Sequence, residues 1–550
     1  MRIVVCIAAA LAASALPFLT GTVYFMVADD YLINYIANGS YGLTYSDRLT
    51  FLRMPLGVLL KFLYGLTSSW NWYFLLLLSL TVLSFIVLNI TVWKRTGSPF
   101  FLLLTGLADY LIVGHFLSFT VVAFLAGAAA FCCFTLAAED KEHMLRKCLP
   151  AVLFLLVSYY LRRDAAAETV IVFLPLFVSV VRRFSFRELR ALAVPAALFA
   201  ALFLVSVLAE KSAYSSPEWQ EFRTYDDARS AVVDNYAPDY DQVKKEMKAI
   251  GVSRLDSNLL NSWRYCEKDF FDSDLLTEIA AVNRAGTTLE DRMANVRRSF
   301  VPQMIPFLIA PLVLFAALLF TGRLRKPVPA LITLLIGYGL LFAFAFWRMR
   351  FVMRVVMPTQ FIVLTALICL SERGKEKADV RIMAADIAAL IVLALIAFQY
   401  LGYYKAINPA DRISCDEEPY RALTEEIASH PDTLYVFDSS ALSRQYYYGT
   451  PASRVLTTDR FRNITRSGSW DSYSPRYYEQ AGSLISDPDN LLTGLVTDDS
   501  IVYVSGGGPS EIIAFYKERT GRECTAQEKE FPGSGLSLWT FTDAGPAGQE

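Results

Sequence analysis

The sequence predicts a polytopic α-helical membrane protein of about 11 transmembrane helices, with a C-terminal extracytoplasmic α/β domain. Three observations carry that expectation. Hydrophobic residues make up 54% of the 550-residue chain and charged residues 19%, too apolar for an ordinary soluble protein. The apolar residues gather into runs of about 20, the length that crosses a ~30 Å hydrocarbon core as a helix. Basic residues recur in the short loops between alternate runs, and beyond residue 404 the chain turns soluble in character.

The apolar runs cover roughly 3–27, 71–93, 99–115, 118–137, 148–161, 169–181, 190–209, 301–320, 328–347, 352–370 and 382–403. The runs at 148–161 and 169–181 are short for spans. Arg2 ahead of the first run, with Ala13-Ser14-Ala15 behind it, resembles a secretory signal. Its apolar stretch continues to Val27, however, which favours an uncleaved anchor. With the N-terminus inside, the cytoplasmic loops carry Lys94 and Arg95; Lys141, Arg146 and Lys147; Arg182, Arg183, Arg187 and Arg190; Arg323, Arg325 and Lys326; and Arg373, Lys375, Lys377 and Arg381. That is the positive-inside pattern of a plasma-membrane protein. An odd number of spans then places the C-terminal domain outside.

The expected division is a membrane domain over 1–404, with an outer first loop at 28–70 and a large outer loop at 210–300, followed by a soluble domain over 405–550. Within the first loop, Tyr31, Leu32, Tyr35 and Ile36 fall on one side of a short amphipathic helix over Asp29 to Ala37, which Asn38-Gly39-Ser40 ends. Thr50 to Leu66 is apolar but holds Arg53, Pro55 and Lys61, so it is expected to lie in the interface with its cations snorkelling to water. The 210–300 loop is polar and too long to lack structure, with helices expected over Asp241–Ile250 and Asp274–Ala285. In the last domain Leu434-Tyr435-Val436-Phe437 and Ile501-Val502-Tyr503-Val504 read as buried strands, with helices near 417–429 and 509–519. Strands alternating with helices suggest a mostly parallel sheet.

A net charge of −2 says little about partners, and no nucleic acid is expected among them. Cys6, Cys132, Cys133, Cys148 and Cys369 read as packing residues in or beside spans. Cys266, Cys415 and Cys524 would face outside, where spacing leaves a Cys415–Cys524 disulfide open. The three histidines, His115, His143 and His430, are scattered and form no zinc-spaced cluster with cysteine.

Chemistry concentrates at the outer water line. Asp29 and Asp30 are adjacent carboxylates directly after the first run; one can act as general base toward a hydroxyl, or both can hold a divalent cation. The plainer alternative is N-capping, but one aspartate suffices for a cap. Arg162, Arg163 and Asp164 lie in one short outer loop, and Arg348, Arg350 and Arg354 in another, with Arg350 and Arg354 four apart on one helix face. Guanidinium groups there suit a lipid phosphate; snorkelling or pairing with Asp164 is the alternative. Asp109 sits inside the third run and is a candidate because intramembrane carboxylates are costly, with reaching the interface or pairing with an outer arginine as the alternative; His115 marks the outer end of the run and is taken with it. Asp386 is expected to snorkel. Gly506-Gly507-Gly508-Pro509 matches no nucleotide-binding spacing and reads as a tight turn before a helix.

This arrangement resembles the GT-C glycosyltransferases: an anchor helix, an acidic residue opening the first outer loop, interfacial helices inside that loop, further spans and an external C-terminal domain. Ala28-Asp29-Asp30-Tyr31, Asn38-Gly39-Ser40-Tyr41-Gly42 and Arg53-Met54-Pro55-Leu56-Gly57 look like the first-loop region of bacterial members. The resemblance implies a sugar donor carried on polyprenyl phosphate and a cell-surface glycan or glycolipid acceptor, with Asp29 or Asp30 as the catalytic carboxylate. Arg350 and Arg354 are assigned to the carrier phosphate by inference, not by a motif. Some members carry a second acidic motif, where this chain has only Asp164 and Glu168. An obligate metal is therefore not expected, and Mg or Mn stays open. A flippase or transporter would place its charges nearer mid-membrane and often show repeats. A surface-binding or assembly protein would need fewer spans.

Overall fold

The computed structural model describes residues 2–139, 144–302, 304–324, 326–372, 380–406, 417–439, 441 and 450–546. Its first helix, α1 (Arg2–Thr20), is followed by two short helices, α2 (Ala28–Ala37) and α3 (Met54–Leu66). Six apolar helices come next: α4 (Trp72–Thr96), α5 (Pro99–His115), α6 (Phe119–Glu139), α7 (Met144–Leu161), α8 (Arg163–Val181) and α9 (Phe186–Ala213). The large loop expected to lie outside holds α10 (Pro217–Val233), α11 (Lys244–Ala249), α12 (Arg254–Asn261), α13 (Ser273–Gly286) and α14 (Leu289–Ser299). The chain then returns to the bundle through α15 (Ile305–Phe320), α16 (Pro327–Trp347), α17 (Met353–Leu370) and α18 (Val380–Ala406).

Each of the eleven apolar runs thus has its helix. Among the described residues eight are long and apolar enough to cross a membrane, while α5, α15 and the 386–399 part of α18 are shorter apolar helices. The chain is a multi-pass membrane protein. In α6 83% of the most apolar stretch is buried, against 11% in α9, so α6 is the centre of the bundle and α9 faces lipid.

Three local expectations are corrected. The first helix ends at Thr20 rather than continuing to Val27. Residues 22–27 are drawn out into an extended strap by distant partners: Val23 O accepts from Ala452 N at 2.8 Å, and Met26 N donates to Leu117 O at 2.9 Å. Arg53 does not snorkel; its guanidinium meets Glu210 at 3.0 Å, and Glu210 also accepts from Met54 N at the start of α3. Asp386 likewise has a protein partner, the Ser98 hydroxyl at 2.7 Å.

The C-terminal part contains α19 (Glu418–Ser429), β1 (Leu434–Phe437), β2 (Ile464–Arg466), α20 (Pro475–Ala481), α21 (Leu491–Thr497), β3 (Ile501–Ser505), α22 (Ser510–Thr520), β4 (Arg522–Phe531) and β5 (Leu536–Pro546). Sheet order is β2-β1-β3-β5-β4. Strand β1 pairs in parallel with β2 and β3, but β5 joins β3 antiparallel and forms a hairpin with β4. The sheet is therefore mixed rather than mostly parallel. Strands β4 and β5 escape sequence reading because β4 is largely exposed and polar. The Gly506–Gly508 segment is the expected turn, with Gly508 at φ 86° ahead of α22.

Strands β1 and β3 are buried on both faces, as parallel neighbours usually are. Leu434, Val436, Ile501 and Tyr503 share a core with Leu276, Ile279 and Tyr265 of the large outer loop. The alternate residues Tyr435, Phe437, Val502 and Val504 join the core that continues through Tyr35 and Phe461 into the bundle. The sheet is thus the layer between the outer loop and the membrane helices. Cys132 and Cys369 meet with sulfurs 3.7 Å apart between α6 and α17, and the five cysteines in or beside spans are all buried. Cys415, with its pairing to Cys524, and Lys141, His143, Arg325, Arg373, Lys375 and Lys377 lie outside the described residues.

Candidate functional site

Helix geometry separates the two adjacent aspartates. Neighbouring residues on a helix point about 100° apart, so Asp29 and Asp30 in the first turn of α2 cannot share a direction. Neither caps the helix; the N-cap is Val27, with no side-chain bond.

Asp30 turns inward and is wholly buried. Its carboxylate accepts from the Tyr73 hydroxyl at 2.7 Å and from Phe119 N at 2.8 Å, tying α2 to α4 and α6. Burial pushes its carboxyl up to about 7, against the pull of Tyr73, Phe119 and the Ser118 hydroxyl. A folded state that holds this proton more tightly than the unfolded chain loses stability as pH rises. The thermal midpoint of the purified protein is expected to fall as pH rises from the ordinary carboxyl value of 3.8 through about 7. Asp30→Asn should flatten that slope; an unchanged slope in the variant would assign it to another group.

Asp29 turns outward, into a cavity of about 360 Å³ at one end of the bundle. Its carboxylate pairs with Arg354 at 2.8 Å. Arg162, Arg348 and Arg350 line the same cavity with Asp164 and Glu168. Arg350 precedes α17 rather than lying on it, so the expected shared helix face with Arg354 is not the reason they meet. The turn does that work: Met349 takes φ 52°, a left-handed backbone costing about 1–2 kcal/mol, between Arg348 and Arg350. Arg350 donates to Asp234 O at 3.0 Å, and burial pulls its guanidinium below the ordinary value. Arg162 donates to the Thr120 hydroxyl at 2.9 Å and lies over the Phe119 ring, 5.4 Å from its centroid. The same Phe119 holds Asp30 through its backbone.

The outer loop expected at Arg162–Asp164 shrinks to Arg162, because α8 begins at Arg163. Arg163 is exposed and meets Asp164 at 3.3 Å, and it does not line the cavity. Nor do Asp109 and His115. Asp109 is buried against α1, accepting from the Ser14 hydroxyl at 2.8 and 2.9 Å, and His115 stands edge-on to Tyr110. Asp109 belongs to the contact between α1 and α5, while the His115 ring packs on its own helix.

Several cavity residues were not among the sequence candidates. Glu168, one turn below Asp164, accepts from the Thr359 hydroxyl at 2.5 Å; its place in an apolar helix was a usable signal. Asp234, Asn235 and Trp263 come from the large outer loop and Trp470 from the C-terminal domain, and nothing local marks them. Phe51 of the first loop stands edge-on to Trp470 at 4.8 Å, completing an aromatic wall.

The cavity therefore sets four carboxylates, Asp29, Asp164, Glu168 and Asp234, among four guanidinium groups beside aromatic surface. Such a site can hold a phosphate bidentately, stack a sugar or ring, and take a proton at Asp29. Asp29 and Asp30 engage different partners and do not converge on a shared point. Among the described residues no group of three or more His, Cys, Asp or Glu side chains could hold a metal ion.

No protein-family model and no curated protein matches the chain. Among solved structures it is similar to ArnT from Cupriavidus metallidurans, in a crystal structure bound to undecaprenyl phosphate. That likeness has a TM-score of 0.40 and 14% identity, covering 98% of this chain and 97% of the other. At that TM-score the chemistry rests on the residues of the cavity itself.

Proposed function

We propose that this protein is a membrane glycosyltransferase of GT-C type, taking a sugar from a polyprenyl-phosphate carrier and passing it to a cell-surface glycan or glycolipid. The observation that carries the reading is the placement of Asp29 among Arg162, Arg348, Arg350 and Arg354 in one cavity at the end of the membrane bundle. The basic loops at the opposite helix ends support a cytoplasmic N-terminus and an outward-facing cavity and C-terminal domain.

In this mechanism the carrier phosphate enters beside Arg350 and Arg354. Arg354 gains a second anion and loosens its grip on Asp29. The freed carboxylate orients the acceptor hydroxyl and takes its proton as the oxygen attacks the anomeric carbon. The carbon–oxygen bond to phosphate breaks, and the bonding pair leaves with polyprenyl phosphate, where the guanidinium groups hold the charge. Displacement from the opposite side inverts the anomeric centre. The departing phosphate needs little protonation, so one carboxylate and a set of cations suffice. Phe51, Trp263 and Trp470 offer faces on which a sugar ring can pack.

Native mass spectrometry of the gently purified protein tests the donor site. Wild type is expected to carry a polyprenyl-phosphate species, with or without sugar, that Arg350→Ala/Arg354→Ala loses. Failure of wild type to take up such a lipid supplied in excess would reject the assignment.

A further inference from the structure

Helices α6, α8, α16 and α17 build the Asp29 cavity with one set of ends, and with their other ends they build a second cavity. The second has a volume of about 720 Å³ and is completed by the end of α4. Thr120 and Glu139, at opposite ends of α6, line the first and the second respectively. At ~1.5 Å per residue they stand about 28 Å apart along the axis, close to the thickness of a hydrocarbon core. The two cavities therefore open at opposite membrane faces.

Four cations from three separate helix ends converge on this second cavity: Lys94 and Arg95 at the end of α4, Arg183 after α8 and Lys326 before α16. Glu139 pairs with both Lys94 and Arg95, each at 2.5 Å. Among the described residues no carboxylate lies within ion-pair distance of Arg183 or Lys326, although Glu372 also lines the space. Lys326 donates instead to Ser179 O at the end of α8, at 2.7 Å. Burial, then the nearby Arg183, pull its ammonium below the ordinary value. Glu372 opposes that pull from across the space. Topogenic cations need only reach the headgroup layer; that rule does not gather them around a shared hollow with two outside any close ion pair. Leu176, Val180 and Leu370 add apolar wall beside them.

We infer that this cavity is a binding site for a phosphate group at the membrane face opposite Asp29, held by Arg183 and Lys326. The group can belong to an anionic phospholipid of that leaflet, whose chains would lie along the apolar wall, or to a free phosphate. The site is independent of the sugar-transfer reading, since it shares no residue with the first cavity.

The test reconstitutes the full-length protein in phosphatidylcholine nanodiscs with added phosphatidylglycerol and reads retained lipid by native mass spectrometry. Equilibrium dialysis against inorganic phosphate runs in parallel. Wild type is expected to retain phosphatidylglycerol over phosphatidylcholine. Arg183→Gln/Lys326→Gln should bind it at least about tenfold more weakly, the scale of losing charge-assisted bonds. The charge-preserving Arg183→Lys/Lys326→Arg and the opposite-face Arg350→Ala/Arg354→Ala should both retain it, which separates loss of the site from loss of the fold. Retention of inorganic phosphate without lipid preference, abolished by the same double Gln variant, supports the site with a soluble source. Binding of neither probe, or equal binding by wild type and the double Gln variant, overturns the inference.

Discussion

Asp29→Asn is expected to leave the protein folded and able to hold its carrier lipid while slowing sugar transfer by about 10²–10⁴-fold, the range for losing a positioned general base. Asparagine has nearly the same shape, and its carbonyl oxygen can still accept from Arg354, which now meets the Asp29 carboxylate at 2.8 Å. What it lacks is the basic oxygen. Asp30→Asn should behave differently, keeping transfer within about tenfold of wild type. The Asp30 side chain faces Tyr73 and Phe119 N rather than the cavity, and an amide oxygen can accept both bonds. Transfer assays with a polyprenyl-phosphate sugar, run beside lipid-retention measurements on the same preparations, separate the two residues. Normal turnover in Asp29→Asn, or a loss confined to Asp30→Asn, would remove Asp29 from the mechanism.

The largest stability loss is expected from Asp471→Ala. Asp471 is buried between Arg466 and Arg476, pairing with both, and also accepts from the Ser469 hydroxyl at 2.5 Å. Burial alone would raise its carboxyl, but Arg466 and then Arg476 outweigh it and hold the group below the ordinary range. Stability from this carboxylate is therefore present at neutral pH and lost as pH falls through its lowered value. Removing it strands two buried guanidinium groups, at a cost of about 3–5 kcal/mol. Both guanidinium groups also lie over the Tyr41 ring, 5.0 and 4.9 Å from its centroid, so the cluster clamps the first outer loop to the C-terminal domain. Trp470, the neighbour of Asp471, would lose its support in the cavity wall. Asp543→Ala, which breaks the exposed pair with Arg522, is the control and should leave the thermal midpoint nearly unchanged, because water screens such a pair. Equal thermal midpoints for the two variants would sink the argument.

What the sequence by itself determined is what depends on local composition. The apolar runs, the basic loops between them and α2 with Asp29 and Asp30 in its first turn each follow from residues within about a helix length of one another. The outer arginines were legible for the same reason, because a cation beside a span is conspicuous wherever the chain later carries it. Only the tertiary structure decided which aspartate faces the cavity, since that depends on what packs against each side of α2: Tyr73 and Phe119 on one, Arg354 on the other. Arg354 lies 325 residues from Asp29, a pairing no window of sequence contains. The same holds for Asp234, Trp263 and Trp470, ordinary loop residues until the sheet docks the outer loop and C-terminal domain onto the bundle. Asp109 shows the converse. A carboxylate inside an apolar helix is costly wherever it sits, and the fold meets that cost with the Ser14 hydroxyl of α1, because a buried charge needs a polar partner and the nearest one was a neighbouring helix.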